Sequence, residues 1–140
     1  MAFTGNFSCN TLRSGLASGS FDFSTDVFYL ALYTNAATLD QTTTAYTATG
    51  EATGGNYAPT GLPVTATVGT DTTSSGSITY INFSSPAWTG AITARGALIY
   101  KAGANGAVCV LDFGNDKTSS ATFTVTMPAN TSTSALIRLV

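Results

Sequence analysis

Near its end the chain reads Ala121-Thr122-Phe123-Thr124-Val125-Thr126-Met127, with Phe123, Val125 and Met127 alternating against three threonines. Successive side chains of an extended strand point to opposite faces, so this period of two can bury one side and wet the other only as a β-strand. Val64 to Val68 repeats the pattern, with Val64, Ala66 and Val68 set against Thr65 and Thr67. The rest of the composition points the same way. Charged residues make up 9% of the chain, where an ordinary soluble domain has roughly 25%. Their place is taken by 26 threonines and 14 serines. Threonine is β-branched and stiff, which suits a pleated strand, and its hydroxyl can face water or satisfy a turn. Low charge alone would also suit a disordered chain, but the 44% hydrophobic share lies in organised runs and argues for a packed core.

The pattern predicts an all-β chain of about eight strands, an antiparallel β-sandwich of immunoglobulin-like or jelly-roll-like type forming a single domain over residues 1–140. A length of 140 residues is enough to bury about 70% of the unfolded surface in one core. Phe3, Phe7, Leu12 and Leu16 are spaced for a short N-terminal helix over 3–16, capped by Ser8 or Asn10. Val27 to Tyr33 is apolar on both faces and reads as a central strand covered on two sides. Residues 35–62 show little periodicity and read as a surface excursion or a functional segment, anchored by Tyr46, Tyr57, Pro59 and Leu62. A turn is expected at Asp71 to Gly76, then a strand from Ser77 to Phe83 ended by Pro86. Ile92 to Lys101 and Ala107 to Phe113 should form a hairpin around Asn105-Gly106, where positive φ angles are tolerated. A further turn is expected at Gly114 to Lys117, and a closing strand from Ala135 to Val140.

Chemistry is hard to find in this sequence. It contains no histidine, so Ser-His and Cys-His nucleophile systems are excluded. Lys101 and Lys117 lie in or beside expected turns, where water keeps an amine protonated. Of the seven acids, Asp22, Asp26, Asp40, Glu51, Asp71 and Asp116 mostly adjoin turn residues, where carboxylates cap backbone amides. Asp112 interrupts an apolar strand and is placed to pair with Arg95 or Lys101, or to bond the following turn. Cys9 and Cys109 lack metal-ligand spacing; Cys109 reads as a small buried hydrophobe, and a disulfide between the two stays open. Gly54-Gly55 and Gly103 to Gly106 read as turns, since no helix or Lys-Ser/Thr follows them. No catalytic, cofactor-binding or metal-binding residue is expected, and the chain is read as a non-enzyme. Trp88 reads as a core anchor; Tyr33, Tyr46, Tyr57, Tyr80 and Tyr100 could serve core or surface.

The net charge is -2, and the five basic residues Arg13, Arg95, Lys101, Lys117 and Arg138 are scattered, which gives no stripe to follow nucleic acid. No apolar stretch approaches a membrane span, and Met1 to Gly5 lacks a basic head followed by an apolar run, so synthesis in the cytosol without export is expected. The Asn-x-Ser/Thr triplets at Asn6, Asn82 and Asn130 are then silent. Weak charge offers little repulsion between copies, which favours a homo-oligomer.

Two stretches carry a family resemblance. The first is Phe28-Tyr29-Leu30-Ala31-Leu32-Tyr33-Thr34-Asn35-Ala36-Ala37-Thr38-Leu39, followed by Thr43-Thr44-Ala45-Tyr46-Thr47-Ala48-Thr49-Gly50-Glu51 and Gly54-Gly55-Asn56-Tyr57. The second is Ala94-Arg95-Gly96-Ala97-Leu98-Ile99-Tyr100, then Ala107 to Lys117 and Ala135 to Leu139. Together they are similar to small virion structural proteins of tailed bacteriophages. The resemblance implies a particle component with no active site, located in the virion and contacting the major capsid protein or other virion proteins. The leading expectation is a head decoration or cement protein. The alternatives are a neck, tail or fibre subunit and, in a third class, a carbohydrate-binding module using Trp88 and exposed tyrosines.

Overall fold

The strand Phe28–Tyr33 (β2) is buried along nearly its whole length because aromatic and aliphatic side chains leave it in both directions. In the computed structural model, which describes residues 3–73 and 76–139, β2 lies inside a five-stranded antiparallel sheet. The other members are Phe7–Ser8 (β1), Leu62–Val64 (β3), Thr93–Lys101 (β7) and Ala107–Thr118 (β8), in the order β1-β8-β7-β2-β3. A second sheet joins Ala66–Thr73 (β4), Gly76–Phe83 (β5) and Ile137–Leu139 (β10) in the order β10-β5-β4. Ala87–Thr89 (β6) and Thr122–Thr124 (β9) form a two-stranded ribbon. Ten strands are thus found among the described residues, where about eight were expected; the extra ones are pieces of two or three residues, too short to carry a period. The all-β class with one short helix holds.

The central position read for β2 explains its composition. Phe28, Leu30 and Leu32 join Ala97, Ile99 and Val108 on one face, where Ile81 and Phe83 of β5, Ile137 of β10, Trp88 of β6 and Phe123 of β9 complete the cluster. Ala31 and Tyr33 join Leu98, Tyr100 and Val110 on the other, covered by Phe3, Ala37 and Leu39. A side chain such as Phe28 or Leu30, each 0% exposed, contributes about 1.5–3 kcal/mol by leaving water. Phe28 also stacks on Phe23 at 4.9 Å and meets Phe83 edge-on at 5.7 Å, which ties the two larger sheets together. The surface of the described fold is 6922 Å², close to the roughly 6,800 Å² expected of a folded chain of 14.3 kDa.

Several boundaries differ from the sequence expectation. The helix is Asn10–Ser18 (α1), and neither Ser8 nor Asn10 caps it. Cys9 occupies the N-cap in extended geometry without a side-chain capping bond, while Phe3 and Phe7 precede the helix to serve the second core face and β1. Gly19, at φ 78, ends the helix in the left-handed region that glycine alone enters cheaply. The strand expected over Val64 to Val68 is split at Thr65, where the chain leaves the five-stranded sheet and enters the three-stranded one. Asp71, Thr72 and Thr73 continue β4 instead of turning, paired with Ile78, Ser77 and Gly76. Gly114 to Lys117 does not end its strand either. The ladder jumps from Gly96↔Asp112 to Ala94↔Lys117, so residues 113–116 bulge out and Gly114 takes φ 85. The Ala102 to Gly106 hairpin forms as read, but its positive φ angles fall on Asn105, at 60, and Gly103, at 102, and not on Gly106. The Phe123 and Val125 face is buried as its alternation requires, although the paired strand spans only three residues.

Candidate interaction surface

Residues 35–62, the segment without periodicity, are a cover fastened over the second core face. Its own Ala37 and Leu39 are buried against that face, and main-chain bonds hold its return limb to the end of β2: Thr34 N donates to Gly50 O at 2.8 Å, and Ala52 N to Leu32 O at 2.8 Å. Gly50 sits at φ 76 with any Cβ falling 2.6 Å from Ala37 N, so the two limbs of the cover touch through a glycine. Glu51 is the hub. Its carboxylate accepts from Tyr46 Oη at 2.5 Å, Tyr57 Oη at 2.6 Å and Thr60 N at 2.8 Å. Tyr57 Oη in turn accepts from Leu32 N at 3.0 Å, which couples the cover to the edge of β2. Tyr33 Oη donates to Thr47 O at 2.8 Å and Tyr100 Oη to Thr60 O at 2.7 Å. Burial raises the Tyr33, Tyr57 and Tyr100 phenols well above their ordinary value, so all three remain neutral donors.

An open depression of about 440 Å³ lies where the cover meets the β7–β8 turn, lined by Tyr29, Tyr46, Tyr100, Thr60 and Gly103 among others. Tyr100 stacks with Tyr46 at 5.1 Å and with Tyr29 at 5.8 Å. Tyr29 escaped the sequence reading because it sits inside an apolar strand run; its pairing with Tyr100 across the ladder is what brings it to the site. Trp88, by contrast, is 1% exposed and packs against Tyr57, so it is the core anchor its neighbours suggested and offers no stacking platform.

The acids are dispersed. Asp22 accepts from Ser24 Oγ at 2.5 Å and Ser24 N at 2.9 Å, and these bonds hold its carboxyl below the usual range. Asp40 does the same for Thr42, at 2.6 Å from Oγ and 2.8 Å from N, with the same lowering. Asp26 accepts from Asp22 N at 2.8 Å and from Lys101 Nζ at 3.1 Å, which lower it in that order. Lys101 also lies 4.8 Å over the Phe21 ring and donates to Ser20 O. Of the partners considered for it, Asp112 takes Arg95, with Nε at 3.0 Å, and the following turn, with Gly114 N at 2.8 Å, while Lys101 pairs with Asp26. Burial alone would raise Asp112, but these two donors outweigh it and leave the carboxyl lowered. Asp71 accepts from Ser132 Oγ at 2.6 Å. The cysteines are unpaired and buried; burial, with Asp40 adding to it, pushes Cys9 up to about 11, and burial raises Cys109 as well. Among the described residues, no three His, Cys, Asp or Glu side chains cluster to hold a metal ion.

What remains for contact are faces and edges. The outer edges are β1 with two residues, β3 with Pro63, β10 with three residues including Arg138, and β4 with eight. Comparison with known proteins found no matching family, no matching characterised protein and no matching solved structure.

Proposed function

We propose that the protein is a structural component of a tailed-bacteriophage particle, a decoration or cement protein that binds the assembled head as a homo-oligomer and stabilises it. The observation that carries this reading is the use of the polar side chains. Five of the seven acids are committed to turns, ion pairs or the cover and a sixth, Asp71, to Ser132, and the exposed strand surfaces are rich in hydroxyls with few charges. Groups tied down this way serve shape, and shape is what a lattice-binding protein needs. The sandwich reading is supported by Ile81 and Phe83 of one sheet meeting Phe28 and Leu30 of another in one cluster. A surface of 6922 Å² leaves room for several neighbours, since a standard interface takes about 800 Å² from each partner. Repetition over a shell then adds weak contacts through multivalency.

Cryo-microscopy of the virion, with protein quantification of purified particles, tests the reading. Density on the shell at hundreds of copies supports it; absence from the shell overturns it. A dozen copies or fewer at the portal or tail would move the protein to the neck, tail or fibre. A second reading, a carbohydrate-binding module, is favoured by the depression of Tyr29, Tyr46 and Tyr100, because clustered aromatic side chains suit the apolar face of a sugar ring. A glycan array without hits removes it.

A further inference from the structure

Natural sheets protect their edges by keeping them short, or with proline, bulges and charge, because an open edge is a template for another strand. Each other edge here has such a device. β1 is two residues long, β3 carries Pro63, β10 is three residues long and carries Arg138, and the two ribbon strands are three residues each. The outer part of β8 bulges at residues 113–116 and bears Asp116 and Lys117. β4 has none of these but a single acid. It runs for eight residues, pairs with β5 in unbroken register from Ala66↔Phe83 to Thr73↔Gly76, and contains no proline, lysine or arginine. Its other side pairs with no strand among the described residues. Its one charge, Asp71, is already engaged by Ser132 Oγ at 2.6 Å.

The face beside this edge is also unfinished. The ladder places Val68, Ile81 and Ile137 in one row and Thr70, Thr79 and Leu139 in the next row on the same face. Ile81 is 2% exposed in the core, yet Val68 is 49% exposed and Leu139 43%. The inner face of the three-stranded sheet therefore runs on past the core that covers its base. Only three large hydrophobic side chains are exposed among the described residues, and two of them lie here.

We propose that two copies of this chain pair antiparallel through β4, about a two-fold axis near Thr70, joining their three-stranded sheets into one of six. Charge favours a second copy as the occupant. With Thr70 opposite the partner's Thr70, Asp71 falls opposite the partner's Gly69, so the single charge of the strand never faces itself. Val68 then lies opposite the partner's Thr72, and apart from Asp71 opposite Gly69 the facing pairs are uncharged and β-branched, the type that stabilises neighbouring strands. A two-fold contact of this kind closes on itself and ends at the dimer. The inference supplies the contact for the oligomer proposed above, and it can fail without touching the assignment to a particle.

Sedimentation of the purified full chain tests it, alongside Thr70→Lys, with Thr126→Lys at an exposed position just past β9 as the control. The expected result is a dimer of twice 14.3 kDa for the parent and the control, and a twofold lower mass for Thr70→Lys with an unchanged β-type circular dichroism spectrum. Thr70→Cys should form an intermolecular disulfide under mild oxidation while Thr126→Cys does not, because cross-strand partners approach within about 4.5–5.5 Å between Cα atoms. Thr70→Cys tests the contact independently if Thr70→Lys fails to fold. A parent monomeric up to millimolar concentration, a folded Thr70→Lys that stays dimeric, or equal crosslinking at residues 70 and 126 would overturn the inference. A virion bearing this protein as single copies would overturn it as well.

Discussion

Removing the Glu51 carboxylate should release the cover over residues 35–62 while leaving the β7–β8 hairpin closed. Three donors end on this side chain, at 2.5, 2.6 and 2.8 Å, and hydrogen bonds to a charged group are each worth about 1.5–3 kcal/mol. A simple sum would be about 4.5–9 kcal/mol. Two effects reduce it: Glu51 is half-buried, so water can reach the abandoned donors, and the three bonds share one carboxylate and do not add. We expect Glu51→Ala to cost about 3 kcal/mol and Glu51→Gln about 1 kcal/mol. The amide keeps one acceptor oxygen for Tyr57 Oη and Thr60 N, and the Tyr46 hydroxyl can turn to accept from the new NH₂. Urea denaturation reads the loss; with a slope of about 2 kcal/mol per molar, the alanine variant should unfold about 1.5 M earlier. Hydrogen exchange adds the location: amides at 41–61 should exchange faster and those at 96–100 should not. An alanine variant within 0.5 kcal/mol of the parent, by this order-of-magnitude criterion, would refute the idea that the carboxylate holds the cover.

Three other outcomes can be measured directly. Trp88 is buried with an indole N–H that has no protein partner among the described residues, so Trp88→Phe should cost only about 1 kcal/mol, against about 3–5 for Trp88→Ala, as read by chemical denaturation. Neither Cys9 nor Cys109 should react with a thiol reagent at pH 8 in the native protein, and both should react in urea; prompt native labelling would contradict their burial. Asp22, Asp26 and Asp40 have folded-state pKa values below their unfolded ones, so their stabilisation is present above about pH 4 and is lost as pH falls through the lower folded values. The melting temperature should therefore hold from pH 7 to pH 5 and decline below about pH 4; a rise on acidification would reverse the sign.

The parts of this fold legible in the sequence are those where burial and period coincide. Phe123 and Val125 alternate with threonine because one face of that segment is buried, and Phe28 to Tyr33 lacks alternation because both faces of β2 are; Val27, read as part of that strand, precedes it and is 60% exposed. The Asn105-Gly106 turn could be read because positive φ is a property of the residue itself. The misread segments share a cause. Threonine, serine and glycine serve here as both strand and turn material, so Asp71-Thr72-Thr73 looks like a turn while continuing β4. Gly114 to Lys117 looks like a turn because it bulges, and only the ladder beyond it shows that the strand resumes. At the surface, Glu51 gave too little signal: an acid with a tyrosine five residues before and another six after becomes a hub only once the loop has folded back. The open edge of β4 was invisible for a related reason, since an edge is defined by the strand that is missing beside it.

The wide separation of paired strands constrains how the chain can reach its native state. Asn6 Oδ1 accepts from Asp112 N, 106 positions away, and Phe7 of β1 lies opposite Val110 of β8. During synthesis at about 5–20 residues per second, the first strand therefore waits about 5–20 s before its neighbour has emerged. The local hairpins β4–β5 and β7–β8 can form without waiting, whereas β2 and finally β1 must be drawn back onto the latter, and refolding should take milliseconds to seconds, as for other folds dominated by distant pairings.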